Sequence, residues 1–203
     1  MSGISAIEWA VASKPIPGVA VLGDAYLVAE RRLGALLAVA DGLGHGPEAA
    51  EAAERAVGVL KLSTDEDIPS LLRRCDLALK HTRGAVLSLA TMDFESCTVE
   101  WAGIGNVEGI LLRRPVEDGP KHRRLAPQPG VLGDHARTPR TESNPLCAGD
   151  TLVFVTDGIV SSFADDLETL LSSSPERIAR HILEESWRGT DDALVLVARY
   201  KGE

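Results

Sequence analysis

Aspartates stand at the ends of several apolar segments of this 203-residue chain, for example Asp41 after ALLAVA and Asp157 after LVFVT. The full set, in chain order, is Asp24, Asp41, Asp157, Asp191 and Asp192. Apolar runs of this length are typical of strands, and strand ends can present several side chains at one edge of a sheet. Carboxylates gathered there repel one another unless a cation lies between them, and oxygen-only ligands select hard ions such as Mg²⁺ or Mn²⁺. The pattern therefore predicts a divalent-metal site, although each aspartate taken alone is equally typical of a cap or a turn.

The segment DGLGHG, residues 41–46, links one of these apolar runs to a predicted helix. Gly42 has no Cβ, so its backbone carbonyl can approach an ion closely. Gly44 and Gly46 permit a sharp turn from strand to helix. His45 either hydrogen-bonds a metal-bound water or braces the loop, and bracing is the preferred interpretation.

Hydrophobic periodicity divides the chain into strands and helices. Strands are predicted over 18–30, 33–40, 83–91, 97–103, 107–113, 151–156 and 193–200. Helices are predicted over 47–62, 68–81 and 175–187, the second capped within residues 64–67. Residues 115–145 are expected to be loops around short strands. Because strands and helices are grouped rather than alternating, the order favours an α+β fold of antiparallel sheets flanked by helices, in one domain over residues 1–203.

The composition excludes several classes of function. The 21 Lys and Arg against 30 Asp and Glu give a net charge of −9, which repels nucleic acid and anionic membrane surfaces. Three cysteines without a CxxC pair argue against a disulfide framework or a zinc knuckle. The longest apolar run, residues 33–40, is far shorter than the roughly 20 residues of a membrane span, and the N-terminus does not resemble a signal peptide. We therefore expect a cytoplasmic protein that binds neither nucleic acid nor membrane.

Several motifs in the right order resemble one family. DGLGHG, LVFVTDGI and TDDALVLVARY, together with WAGIGN at 101–106 and AGDTL at 148–152, are similar to the metal-dependent type 2C (PPM) serine/threonine phosphatases. The likeness is to the bacterial branch of SpoIIE, RsbU and RsbX, and within it to the short stressosome phosphatases. It covers roughly residues 18–200 and implies a four-layer αββα sandwich of two antiparallel sheets flanked by helices.

The resemblance also implies a site and a mechanism. Asp41, Asp157 and Asp191 would be the catalytic residues, with Asp41 bridging two Mn²⁺ or Mg²⁺ ions. The Gly42 carbonyl would bind one ion, Asp157 and Asp191 would complete the second site, and Asp24 matches the first acidic motif of the family. The implied reaction is attack on phosphorus by a hydroxide activated between the two ions, in line with the leaving serine or threonine oxygen.

The sequence departs from the family pattern at two points. Asn106 stands where many members have an aspartate that binds a third metal, so only two ions are expected. No arginine can be assigned as the phosphate-contacting residue; Lys14 is a candidate, and a solvated surface lysine is the alternative. Asp192 is adjacent to a predicted ligand and is given a supporting role.

The implied substrates are phosphorylated STAS-domain proteins of the stressosome, and we expect a monomeric enzyme. Basic residues on and around the loop region can attract an acidic phosphorylated surface: Arg113, Arg114, Lys121, Arg123, Arg124, Arg137 and Arg140. A solvated loop without a partner is the alternative interpretation of this basic patch.

Three rival functions were weighed. A catalytically weak, phosphatase-like module that only binds phosphorylated regulators is disfavoured because Asp41, Asp157 and Asp191 are all present. Nucleotide binding through residues 42–46 is disfavoured because no GxxxxGK[ST] pattern exists. Cysteine-dependent phosphatases are excluded because no cysteine is followed by arginine at the Cys-x5-Arg spacing.

Overall fold

The computed structural model describes residues 6–114, 122–134, 140–165 and 167–202. The strands are β1 (Ile7–Lys14), β2 (Asp24–Arg31), β3 (Gly34–Gly42), β4 (Ala85–Asp93), β5 (Thr98–Ile104), β6 (Glu108–Leu112), β7 (His122–Leu125), β8 (Glu142–Pro145), β9 (Thr151–Val155) and β10 (Ala193–Tyr200). The helices are α1 (Pro47–Lys61), α2 (Ile68–Leu79) and α3 (Pro175–Ser186), and two 3₁₀ turns, Ser161–Ala164 and Leu167–Leu170, precede α3.

The strands form two five-stranded sheets in which every pairing is antiparallel. The first sheet has the order β1-β10-β9-β6-β7 and the second β2-β3-β4-β5-β8. Helices α1 and α2 cover the outer face of the second sheet, and α3 covers that of the first. The predicted αββα sandwich is thus confirmed. None of the described helices is both long enough and apolar enough to cross a membrane.

The alternation of side chains in β3 explains why its sequence is apolar throughout. Leu37 and Val39 point into the core between the two sheets, whereas Leu36 and Ala38 pack against the helical layer of α1 and α2. A strand buried on both faces has no place for a polar side chain until it reaches the edge of the sandwich. The first carboxylate, Asp41, therefore marks that edge.

Most predicted elements are present, with three differences. Strand β1 was not predicted, because it is a sheet edge whose residues are largely exposed and show little apolar alternation. Residues 18–23 form a loop rather than the start of a strand, so β2 begins only at Asp24. Helix α2 ends at Leu79, since His81 has a φ of 78°. Its predicted cap is confirmed at Asp67, whose side chain accepts a 2.7 Å bond from the Ser70 amide.

Candidate active site

The fold brings all five predicted aspartates to one edge of the sandwich. Asp24 opens β2 and lies directly opposite Asp41 in the antiparallel pair of β2 and β3. Asp157 follows β9. Asp191 and Asp192 precede β10, which pairs with β9 in the first sheet. The five carboxylates act electrostatically on one another. We call this set the aspartate cluster: Asp24, Asp41, Asp157, Asp191 and Asp192.

The pKa values of the two facing aspartates are raised, first by burial and then by repulsion from other carboxylates of the cluster. Burial raises the pKa of Asp41 from 3.8 to about 9, and the other carboxylates of the cluster add to the rise. Burial likewise raises the pKa of Asp24 to about 7, although its hydrogen bond with Thr156 opposes the shift. No lysine or arginine of the described residues forms an ion pair with the cluster. Within the described part of the chain, the cluster is therefore held by hydrogen bonds and not by ion pairs.

Thr156 joins the two sheets at the cluster. Its Oγ1 donates a 2.8 Å hydrogen bond to Oδ2 of Asp24 and accepts one of 2.9 Å from the Leu194 amide. This hydrogen bond fixes the side chain of Asp24, which is only 7% exposed. This role of Thr156 was not predicted from the sequence, where the available signal is a threonine at the end of a buried-type strand, immediately before Asp157.

Asn106 contacts the cluster through Asp157. Its Nδ2 donates a 2.7 Å hydrogen bond to Oδ2 of Asp157. Burial, followed by the neighbouring Asp191, raises the pKa of Asp157, and the bond from Asn106 lowers it. An aspartate at position 106 would add another negative charge here, whereas the amide contributes a donor that holds one carboxylate oxygen in place.

The two adjacent aspartates of the TDDA segment have different environments. Asp192 is 3% exposed, and its two oxygens accept hydrogen bonds from the amides of Ile16 (2.8 Å) and Gly23 (2.7 Å). It therefore closes the loop that leads into β2. Asp191 is half-buried, its Oδ1 accepts a bond from the Asp192 amide, and its backbone carbonyl accepts one of 3.0 Å from Trp187 Nε1. This leaves Oδ2 of Asp191 free to face the cluster.

The DGLGHG loop turns sharply between β3 and α1. Gly44 and Gly46 have φ values of 86° and 81°, in the region that glycine adopts most readily. A Cβ on Gly42 would lie 1.9 Å from the carbonyl oxygen of Ala49, so this glycine is also required for the packing of α1. His45 is exposed and forms no hydrogen bond with another described residue, so the predicted bracing of the loop is not observed.

Two basic residues lie near the cluster: Lys14 is paired with Ala193, next to Asp192, and Arg188 follows Trp187. Lys14, the last residue of β1, has its Nζ 4.0 Å from the centroid of the Trp187 ring, so it is not a simple solvated lysine. Arg188 is exposed, and its backbone amide donates a 2.8 Å bond to the carbonyl of Gly158. Its guanidinium charge lowers the pKa of the neighbouring Asp157. Arg188 was not predicted from the sequence, because no local motif distinguishes it from other surface arginines.

Three of the five described arginines in the basic patch expected for partner binding are paired with carboxylates, whereas Arg114 and Arg140 are exposed. Arg113 pairs with Asp150 at 2.6 Å, and two further arginines pair with glutamates at 3.2 and 3.0 Å. Those pairs are Arg123 with Glu142 and Arg124 with Glu108. Lys121 and Arg137 lie outside the described residues. The described part of the patch therefore offers much less free positive charge than its sequence suggests.

The donor chemistry of the cluster suits a hard divalent cation. All of its side-chain donors are carboxylate oxygens, and their mutual repulsion is the kind that a bound cation relieves. Among the residues that the structure describes, no three acidic, histidine or cysteine side chains already converge tightly enough to hold an ion. The chemical identity of these oxygen ligands fits Mg²⁺ or Mn²⁺.

Known proteins are similar to this chain in sequence and in fold. The family model described as stage II sporulation protein E (SpoIIE) matches residues 32–201. The phosphoserine phosphatase RsbX of Bacillus subtilis (strain 168) is 28% identical over 144 residues, which are 70% of this chain and 69% of RsbX.

Two solved structures have the same fold as this chain. A chain from work on the bacterial stressosome, a modular system that has been adapted to control secondary messenger signaling, superposes with a TM-score of 0.87 at 31% identity, over 95% of this chain and 99% of that one. The crystal structure of RsbX in complex with magnesium gives a TM-score of 0.82 at 24% identity, over 95% and 94% of the two chains. The chain therefore belongs to the SpoIIE family and is a protein serine/threonine phosphatase.

Proposed function

We propose that the chain uses two divalent cations, held at the aspartate cluster, to dephosphorylate phosphoserine or phosphothreonine in STAS-domain proteins of a stressosome. One observation carries the metal part of the proposal: five carboxylates from several elements meet at one edge without a basic ion-pair partner among the described residues. Such an arrangement is costly in a protein that does not bind cations.

In this proposal Asp41 would be a ligand common to both ions, the Gly42 carbonyl would be a ligand of one of them, and Asp157 and Asp191 would be ligands at the second site. Asp24 contributes a further carboxylate from β2. When bound, Mn²⁺ or Mg²⁺ lowers the pKa of water and neutralises charge on phosphoryl oxygens.

The surrounding residues orient these carboxylates. Thr156 fixes Asp24, and Asn106 fixes one oxygen of Asp157. We assign Asp192 to the support of the loop before β2 rather than to an ion, because backbone amides occupy both of its oxygens. Asn106 offers no carboxylate, so two ions rather than three are proposed.

The proposed substrate class rests on the relatives. RsbX is a phosphoserine phosphatase, and the 31% identical structure comes from work on the stressosome. The basic patch contributes less to substrate recognition than the sequence suggests, because three of its arginines are paired. We further propose a monomer that acts in the cytoplasm as one catalytic domain. Its three free cysteines are compatible with a reducing compartment.

The test is release of inorganic phosphate from a phosphoserine-bearing STAS-domain protein and from p-nitrophenyl phosphate, with Mn²⁺ and then with excess chelator. Asp165→Asn, an exposed aspartate outside the cluster, is the matched control. Wild type and control should act on both substrates with Mn²⁺ and on neither with chelator. Full activity with chelator would contradict the metal part. Release from the small ester alone would contradict the substrate part, and binding without release would favour the binding-module alternative.

A further inference from the structure

We propose that a basic cavity at the end of the first sheet opposite the aspartate cluster binds a small organic anion with a phosphate-type group. The cavity lies beside the end of β10 and the residues that precede β9. The aspartate cluster, in contrast, lies beside the start of β10 and the end of β9. The cavity is therefore separate from the proposed metal site, and this inference does not depend on the proposed function.

Three cationic residues line the cavity, which has a volume of about 400 Å³: Arg114, Arg199 and Lys201. No carboxylate of the described residues lines it, although the net charge of the chain is −9. None of the three cations forms an ion pair with another described residue. Small-molecule sites usually have volumes of roughly 300–1,000 Å³. The cavity thus has the charge and the size that suit a small anion.

The guanidinium of Arg199 is fixed by two hydrogen bonds. Its Nε donates a 3.1 Å bond to Oγ1 of Thr151, and its Nη2 donates a 2.9 Å bond to the carbonyl of Leu171. Burial lowers the pKa of this guanidinium, and the charge of Glu8, opposite Arg199 in β1, counteracts the shift without forming an ion pair. A partly buried cation without an ion-pair partner is unfavourable. An anion bound in the cavity would relieve that cost.

The backbone around the cavity is also fixed. The Gly149 amide donates a 2.7 Å bond to the carbonyl of Tyr200, and the Tyr200 amide donates one of 2.9 Å to the carbonyl of Asp150. Gly149 has a φ of 95°, and a Cβ there would lie 3.2 Å from Cδ of Arg114. The aliphatic part of the Arg114 side chain therefore lies against this glycine. Binding would require little rearrangement of the backbone that carries the cations.

The other lining side chains favour an organic anion over a bare one. Ala148, Leu171 and Tyr200 contribute carbon atoms to the lining, and the Tyr200 ring is stacked on Phe94 with centroids 5.0 Å apart. Apolar side chains of this kind suit a ring or a short hydrocarbon. Guanidinium groups present parallel N–H donors that match two oxygens of a phosphate-type group. Three cations favour such a dianion over a single carboxylate, so the ligand class is an aromatic or short-chain phosphate.

The experiment is a titration of the full chain with phenylphosphonate in excess chelator, followed by amide NMR spectra of the isotope-labelled protein. Phenylphosphonate combines a ring with a dianionic group, and its carbon–phosphorus bond resists a phosphatase. Chelator keeps divalent cations away from the aspartate cluster. We expect saturable shifts of the Gly149, Leu171 and Tyr200 amides. Benzamide, a neutral ring, and inorganic phosphate, an anion without a ring, should bind roughly 10-fold more weakly or worse.

Variants of the lining cations test the charge directly. Arg114→Met and Arg199→Met should each weaken phenylphosphonate binding roughly 10-fold or more, because each removes charge-assisted hydrogen bonds. Arg73→Met, which changes an exposed arginine on α2, is the matched control and should bind like wild type. Arg199→Met also removes two hydrogen bonds within the fold. If it does not fold, the double variant Arg114→Met with Lys201→Gln decides the question.

Four results would overturn the proposal. One is the absence of saturable shifts at the cavity, or their confinement to residues near Asp41 and Asp157. Another is an unchanged affinity for phenylphosphonate in the variants of the lining cations. Equal affinity for benzamide would contradict the requirement for an anion, and equal affinity for inorganic phosphate would contradict the requirement for an organic group. Phosphate release with Mn²⁺ tests the proposed function separately, so failure of one proposal is distinguishable from failure of the other.

Discussion

Strand β9 has an aspartate beyond each end, and the two have opposite surroundings. Asp150, before the strand, is 1% exposed and pairs with Arg113 at 2.6 Å. It also accepts bonds from the amides of Arg114 and Cys147. Asp157, after the strand, faces other carboxylates and receives a single side-chain bond from Asn106.

The two aspartates have different roles. Asp150 stabilises the fold, whereas Asp157 belongs to the proposed metal site. A buried carboxylate whose acceptors are all satisfied contributes to one folded state. A carboxylate that faces other carboxylates lowers the stability of the fold until a cation binds. Such unfavourable electrostatic contacts are concentrated at functional sites. The comparison predicts that changes at the two ends of β9 affect different measurements.

Asp41→Asn should have the largest effect on activity. It weakens a ligand proposed to be shared by two ions, and losses of residues that only support a ligand already cost roughly 10- to 100-fold. We expect a fall in Mn²⁺-dependent turnover of more than about 100-fold, with no loss of stability in chelator, because the neutral amide replaces a carboxyl group whose ionisation is disfavoured by burial. Either near-normal turnover at saturating Mn²⁺ or a variant that fails to fold would contradict this expectation for Asp41. Asp165→Asn is the control.

Asp150→Ala should have the largest effect on stability. It leaves Arg113 without its partner, and removing one member of a buried ion pair costs about 3–5 kcal/mol. Urea unfolding should show this loss, while turnover per folded molecule stays near the wild-type value well below the melting temperature. A large loss of turnover without a loss of stability would contradict the proposed difference between Asp150 and Asp157.

Asn106→Ala should have an intermediate effect. It removes the donor that holds Oδ2 of Asp157, so turnover should fall roughly 10-fold, as for other residues that orient a ligand. Stability should change little, because Asn106 contacts the exposed end of β9. Turnover equal to wild type at limiting Mn²⁺ would show that Asp157 needs no orienting bond.

The smallest expected effect is on the pH dependence of stability in chelator. Asp41, with its pKa raised from 3.8 to about 9, binds a proton in the folded chain over a range in which the unfolded chain has lost it. Stability must therefore fall as the pH rises through that range. Between pH 6 and pH 9 we expect a decrease in Tm on the order of 5 °C. Mn²⁺ should reverse it, and Asp41→Asn should reduce it; a Tm that rises with pH in chelator would contradict the electrostatic account.

Sequence patterns predicted the layers and the cluster because both depend on local signals. A strand buried on both faces reads as a continuous apolar run, and the carboxylate of Asp41 ends it. The different roles of Asp191 and Asp192 could not be predicted, since they depend on a loop 169 residues away that bonds to one of them. Thr156 and Arg188 were missed for the same reason: their partners lie on other elements.

The most direct test of the central claim is anomalous diffraction from crystals soaked in Mn²⁺. We expect two strong Mn²⁺ peaks at the aspartate cluster, both within bonding distance of Asp41, and none bound by Asn106. The absence of Mn²⁺ from the cluster, or a fully occupied third ion contacting residue 106, would contradict it.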